Sequence, residues 1–163
     1  MATLDDLKAA FAGESQANRR YLAFAIKAEE EGYKQVAKLF RAAAEAETVH
    51  ALNHMRIAWG IHSTADNIKE AIAGETHEFM KMYPQMIENA KAEGNKQALR
   101  SFELANKVEQ THSNLFEKAL SNLGSNEEVD YYVCQVCGDT VEKTAPNACR
   151  VCGAPSDKFK KIC

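Results

Sequence analysis

Residues 41–59 read RAAAEAETVHALNHMRIAW. Together with the residues just before them, Val36, Phe40, Ala43, Glu47, His50, His54 and Ile57 recur at steps of four and three. That is the spacing of a helix stripe facing a core. A glutamate and two histidines occupy places where leucines belong. Glu47 and His50 are three apart and share a helix face. An unpaired carboxylate in an apolar interior costs on the order of tens of kcal/mol by Born solvation, so it must be paired, protonated or bound to a metal.

Three other stretches carry the same anomaly. Leu4, Leu7, Phe11, Glu14, Asn18 and Tyr21 place Glu14 in a seam. Ala71, Glu75, Glu78 and Met82 form another, and Phe102, Ala105, Glu109, His112 and Phe116 carry a second Glu-x-x-His. Four helices that each bring acid to one layer describe a carboxylate-bridged dinuclear metal site inside a bundle. The halves are an internal repeat. Ala12-Gly13-Glu14 aligns with Ala73-Gly74-Glu75 at an offset of 61, and Glu47-x-x-His50 aligns with Glu109-x-x-His112 at 62. One residue has therefore been inserted in the second half. Glu78 aligns with Ala17 and has no counterpart; it is either a solvated glutamate or a seventh ligand, and its seam position favours the ligand.

Two imidazoles with four or five carboxylates suit iron or manganese. Glu47 and Glu109 are the natural bridges, with Glu14 and Glu75 terminal. His54 is either a partner of the site or a satisfied seam histidine, and His62 and His77 read as surface residues. Tyr21 and Tyr83 are either hydrogen-bond donors near the metals or space-filling core tyrosines.

The 163 residues are 45% hydrophobic and 26% charged, the profile of a soluble globular protein. A net charge of −3 argues against nucleic acid as a partner. No apolar run approaches the roughly 20 residues of a membrane span, and the acidic start MATLDDLKAAF lacks a signal-peptide apolar region. A cytoplasmic protein is the expectation. Helices are expected from Thr3, as N-cap, to Glu31, from Lys34 to Trp59, from Ala65 to Glu93 with Thr64 as cap and a kink at Pro84, and from Lys96 to Leu123. The boundaries read 1–124 for the bundle, 125–130 for a polar linker and 131–163 for a cysteine-rich tail.

Cys134-x-x-Cys137-Gly138 and Cys149-x-x-Cys152-Gly153 are two knuckles for one tetrahedral four-thiolate ion. The glycines let amide N–H groups turn toward sulfur. Spacing alone leaves structural zinc and redox-active iron equally open. So short a tail has little core, and its ion must supply much of its folding energy. Cys163 falls outside the pattern and reads as a free thiol.

These residues resemble the rubrerythrin family over nearly the whole chain. The likeness rests on Gly13-Glu14-Ser15-Gln16-Ala17, Glu47-x-x-His50-Ala51, Gly74-Glu75-x-x-Glu78, Glu109-x-x-His112 and the two knuckles, the second continuing to Ala154-Pro155. It implies an all-α, ferritin-like four-helix bundle holding two non-haem iron ions, followed by a small, mostly β and loop, rubredoxin-like domain with one iron, a site that can carry zinc on isolation. It also implies reduction of hydrogen peroxide to water, with the four-cysteine iron relaying electrons from a donor such as rubredoxin or a reductase, in defence against oxidative stress. The implied ligands are Glu14, Glu47, His50, Glu75, Glu78, Glu109 and His112, with Cys134, Cys137, Cys149 and Cys152 in the tail. The resemblance further implies an iron that moves between His50 and Glu78 with oxidation state, Tyr21 and Tyr83 beside the ligands, and Tyr132 and Phe159 as the aromatic packing of the small domain.

The connection Gly60–Thr64 is short for such a topology. A second helix of about 26 residues is roughly 39 Å long, whereas five extended residues reach about 17 Å. Either the bundle is up-down-up-down, or helix pairs are exchanged within a homodimer or higher homo-oligomer; exchange is preferred. Transfer from tail to bundle is expected between chains, because the knuckles follow the end of a long helix. The competing functions are a ferroxidase or iron store, and a non-enzymatic module with a zinc-ribbon tail.

Overall fold

The computed structural model of the chain describes residues 2–162, so the free thiol expected at Cys163 lies outside the described residues. The chain forms two compact units, Met1–His62 and Ser63–Cys163.

The first unit is a helical hairpin of α1 (Ala2–Glu30) and α2 (Lys34–Ala58). Thr3 is already inside α1 rather than capping it, and Asp5 lies in the first turn. Gly32 N–H donates to Glu29 O at 3.0 Å and Tyr33 N–H to Ala28 O at 2.8 Å, a Schellman pair that ends α1 and reverses the chain. The buried residues are alanines: Ala17, Ala25 and Ala28 from α1, and Ala37, Ala44 and Ala51 from α2. Small side chains let the backbones approach closely. Asn18 Nδ2 crosses the gap to donate to Ala44 O at 2.7 Å and Thr48 Oγ1 at 2.8 Å. Tyr21, Phe24 and Phe40 cluster with ring centroids 5.6–6.4 Å apart. Val36 and Ile57, which the stripe assigns to a core, are exposed, as is Leu39. The hairpin alone does not cover its apolar surface.

The second unit opens with α3 (Thr64–His77) and continues through a π-helical segment (Glu78–Met82) into α4 (Tyr83–Ala92). Ser63, not Thr64, is the N-cap: it has extended backbone and its Oγ accepts from Asp66 N–H at 3.2 Å. The kink expected at Pro84 takes the form of the π segment. Pro84 has no N–H for the regular ladder, and Tyr83 N–H reaches five residues back to Glu78 O. Such a segment holds one extra residue. Glu14 and Glu75 differ by 61 in number, Tyr21 and Tyr83 by 62, so the inserted residue of the repeat falls at this segment. A Schellman bond from Asn95 N–H to Ala90 O then leads into α5 (Lys96–Ser121), capped by Asn95 Oδ1 on Ala98 N–H.

After α5 the chain folds back. Asn126 Nδ2 donates to Ala119 O at 2.9 Å and Ser125 N–H to Asn122 O at 2.8 Å. Strands β1 (Tyr131–Cys134), β2 (Thr140–Glu142) and β3 (Phe159–Ile162) form an antiparallel sheet in the order β2-β1-β3. Tyr132 and Phe159 are half-buried; the fully buried residues of this part are Cys134, Cys149 and Asp139. The tail lies along its own α5. Lys118 Nζ pairs with Glu142 Oε2 at 2.6 Å, and a Cβ on Gly138 would stand 3.7 Å from Val108 Cγ1. The expectation of transfer between chains assumed knuckles beyond the helix end. The reversing linker places them against the helix instead. Among the described residues, no helix is long and apolar enough to cross a membrane.

The alanine interface sets a stability test. Ala37 is fully buried, and overpacking a close-packed site costs about 1–3 kcal/mol. Ala37→Leu is expected to lose stability of that size in urea unfolding, and the exposed Leu39→Ala to lose far less.

Candidate metal centres

The four knuckle cysteines converge on one point. Cys134 Sγ lies 3.7 Å from Cys152 Sγ, and Cys137 Sγ 3.6 Å from Cys149 Sγ. A tetrahedron with metal–sulfur bonds of about 2.3 Å has edges of about 3.75 Å. The thiols therefore fit a single ion and are too far apart for disulfides. Gly138 N–H donates to Cys134 O at 2.8 Å and Gly153 N–H to Cys149 O at 2.9 Å. Both glycines have positive φ, 87° and 78°, a conformation that favours a residue without Cβ. The resulting turns aim amides at sulfur: Asp139 N–H at Cys137, Val151 and Cys152 N–H at Cys149, and Ala154 N–H at Cys152. Burial nonetheless pushes the Cys137 and Cys149 thiols up. Burial acts on Cys152 too, but the Ala154 amide and the neighbouring thiols bring it below its ordinary value.

Each unit also holds a carboxylate–carboxylate–imidazole triad, Glu14, Glu47 and His50 in the hairpin and Glu75, Glu109 and His112 in the second unit. Within each triad the donor atoms lie within 4.8 Å of one another. The two Glu-x-x-His pairs are alike: His50 Nδ1 is 2.9 Å from Glu47 Oε2, and His112 Nδ1 is 2.9 Å from Glu109 Oε2. His112 Nδ1 is also 3.7 Å from Glu75 Oε2. The environments differ. The His50 side chain is 54% exposed and that of His112 27%. Hydrogen bonds from His50 and then Glu14 hold Glu47 below the usual carboxylate range. Burial raises Glu75, with His112 opposing and Glu109 adding to the rise. Harder oxygen and imidazole donors without thiolate fit iron or manganese.

Glu78 stands outside the triads, at the first position of the π segment. Tyr83 faces this acid layer. Burial raises its phenol, and the charges of Glu109, Glu78 and Glu75 raise it further. Tyr21 belongs to the aromatic cluster of the hairpin instead. A cavity of about 490 Å³ opens beside Glu75 and His112, lined also by Leu115, Phe116, Tyr131 and Thr140.

Two features escaped the sequence reading. Asp139 is fully buried and takes Arg150 Nε at 3.2 Å and Nη2 at 3.1 Å. Thr140 Oγ1 lies 3.1 Å from His112 Nε2. A polar pair beside a knuckle has many possible explanations in sequence, and nothing there indicates that the tail returns to α5.

The chain is similar to known proteins over almost its full length. The profile of the family described as Rubrerythrin matches residues 5–120, and that described as "Rubrerythrin, rubredoxin-like domain" matches residues 132–160. Rubrerythrin-2 of Clostridium acetobutylicum is 34% identical, covering 97% of this chain and 95% of that protein. Rubrerythrin of Porphyromonas gingivalis is 36% identical, covering 94% and 86%. A solved structure of fully reduced nigerythrin aligns with a TM-score of 0.62 at 31% identity, covering 98% of this chain and 86% of that one.

Protons on Cys137 and Cys149 must leave when an ion binds the tail. Affinity of the four-cysteine site for zinc is therefore expected to rise with pH across the neutral range and fall toward acid. Calorimetry in buffers of different ionisation enthalpy reads the released protons, and binding without release contradicts the assignment.

Proposed function

We propose that this chain, which belongs to the rubrerythrin family, is a peroxide reductase that converts hydrogen peroxide to water with two electrons and two protons. Its cofactors are two non-haem iron ions in the helical region and one iron at the four cysteines. The observation that carries the reading is the packing of the four-thiolate turn against α5, the helix that bears Glu109 and His112. A one-electron centre beside a di-iron ligand helix serves a reaction that consumes electrons. An iron store has no use for it.

When bound, the iron pair supplies the electrons and Lewis acidity that cleave the O–O bond. The protein's part is to hold and balance it. Glu47 and Glu109 would hold both ions, Glu14 and Glu75 would each hold one, and His50 and His112 would each bind through Nδ1, the nitrogen that lies toward the acids. Glu78 would be the seventh ligand, alternating with the more exposed His50 according to oxidation state. Tyr83, raised by burial and surrounding carboxylates, keeps its phenolic proton and stands as a donor to that layer. We read residues 1–124 as the di-iron part, 125–130 as linker and 131–163 as the electron-relay part of a cytoplasmic enzyme served by rubredoxin or a reductase.

Each triad supplies three of these seven ligands, and the complete site pairs the hairpin of one chain with the second unit of another, which also brings Glu78. Three arguments support exchange. Residues 59–63 span at most about 17 Å. Helix α2, of 25 residues, is about 37 Å long. The hairpin leaves Val36, Leu39 and Ile57 uncovered.

Stopped-flow mixing of the reduced protein is expected to show oxidation by peroxide far faster than by oxygen; the reverse order identifies a ferroxidase. Glu78→Ala should keep its metal and slow turnover about 10- to 100-fold, and unchanged turnover removes its role. Cys149→Ser should stop electron delivery while the chemically reduced bundle still reacts. Exchange has its own test. Glu14→Ala and Glu109→Ala chains should each be inactive alone. Co-refolded, they should regain up to about one quarter of wild-type activity, because in a heterodimer one exchanged site carries both lesions and the other none. No regain means that each site is built from one chain.

A further inference from the structure

We propose that the four-cysteine domain sets the metal affinity of the helical site through Thr140, a positioning residue that holds His112. The inference rests on reading Glu75, Glu109 and His112 as ligands. His112 turns Nδ1 toward Glu109 and Glu75 and Nε2 toward Thr140 Oγ1 at 3.1 Å. The Thr140 hydroxyl donates to Gly138 O at 3.2 Å. Its oxygen therefore presents a lone pair to the ring, which answers with Nε2–H. An imidazole protonated at Nε2 has its Nδ1 lone pair free, and that lone pair points at the carboxylates.

Thr140 is placed by the thiolate turn. It opens β2, three residues after Cys137. Cys134 N–H donates to Asp139 O at 2.9 Å, and buried Asp139 binds Arg150, the neighbour of Cys149. Arg150 Nη2 in turn reaches Thr111 Oγ1 at 3.4 Å, and Gly138 sits against Val108. Val108, Thr111 and His112 share one face of α5. The turn thus meets the ligand helix at three points. Among the described residues of the tail, the buried ones are two cysteines and Asp139, so the bound ion is what holds it folded. An ion among the cysteines places Thr140, and Thr140 places His112. The coupling is reciprocal by linkage. The helical site binds its metals less tightly when the electron relay is empty, so assembly of the iron pair is favoured where its source of electrons is in place.

The test uses the full chain with zinc in the tail and Co2+ titrated into the helical site by calorimetry. Thr140→Val is expected to weaken Co2+ binding about 10- to 100-fold with tail zinc retained, and Thr140→Ser to restore it. The His112 Nε2 proton, slow to exchange by heteronuclear NMR in the zinc-filled wild type, should exchange fast in Thr140→Val. Cys149→Ser/Cys152→Ser, which empties the tail, should weaken Co2+ binding similarly, with no further loss when Thr140→Val is added. Wild-type affinity in Thr140→Val, or losses that add, overturns the inference alone. A wild-type helical site that takes no Co2+ overturns the inference together with the ligand reading beneath it.

Discussion

A carboxylate that leaves water gives up solvation worth several kcal/mol even after relaxation. Each compact unit of this chain draws two of them part-way out of water beside a single imidazole. Four carboxylates cannot be neutralised by two histidines. Glu47 and Glu75 are displaced in opposite directions: one acid is stabilised as the anion by its hydrogen bonds, the other is pushed toward its neutral form by burial. A divalent cation would favour the anion of both. The repeat gives each unit the same Glu-x-x-His pair beside a second glutamate.

Much of this was legible before any coordinates. A helix stripe tolerates no unexplained acid, so Glu14, Glu47, Glu75 and Glu109 identified themselves by position. The knuckle spacing left the four cysteines one tetrahedral solution, met by the observed 3.6 and 3.7 Å separations. The inserted residue was visible as an offset changing from 61 to 62, but its form was not. Pro84 read as a kink because proline breaks the ladder. Whether the helix bends or widens into a π turn depends on where Glu78 O finds a donor, and periodicity does not encode that. Caps slipped by one residue at Ser63, since serine and threonine are near-equivalents there.

The tail was legible in chemistry and illegible in placement. A polar linker such as Ser125–Asp130 states that the helix has ended, not which way the chain turns. Direction is decided by bonds such as Asn126 Nδ2 to Ala119 O and by ion pairs such as Lys118 with Glu142. None of these has a sequence pattern of its own. Their result is that an arginine and a threonine beside the knuckles reach α5, where a tail read in isolation would leave them to solvent.

The alanine seam of the hairpin has one more consequence. Alanine loses no side-chain rotamer freedom on burial, and helices zipped by it offer few alternative packings. The hairpin therefore closes along this seam with little loss of side-chain entropy, and the freedom still to be lost sits in the larger exposed side chains of its outer face, such as Leu39 and Ile57.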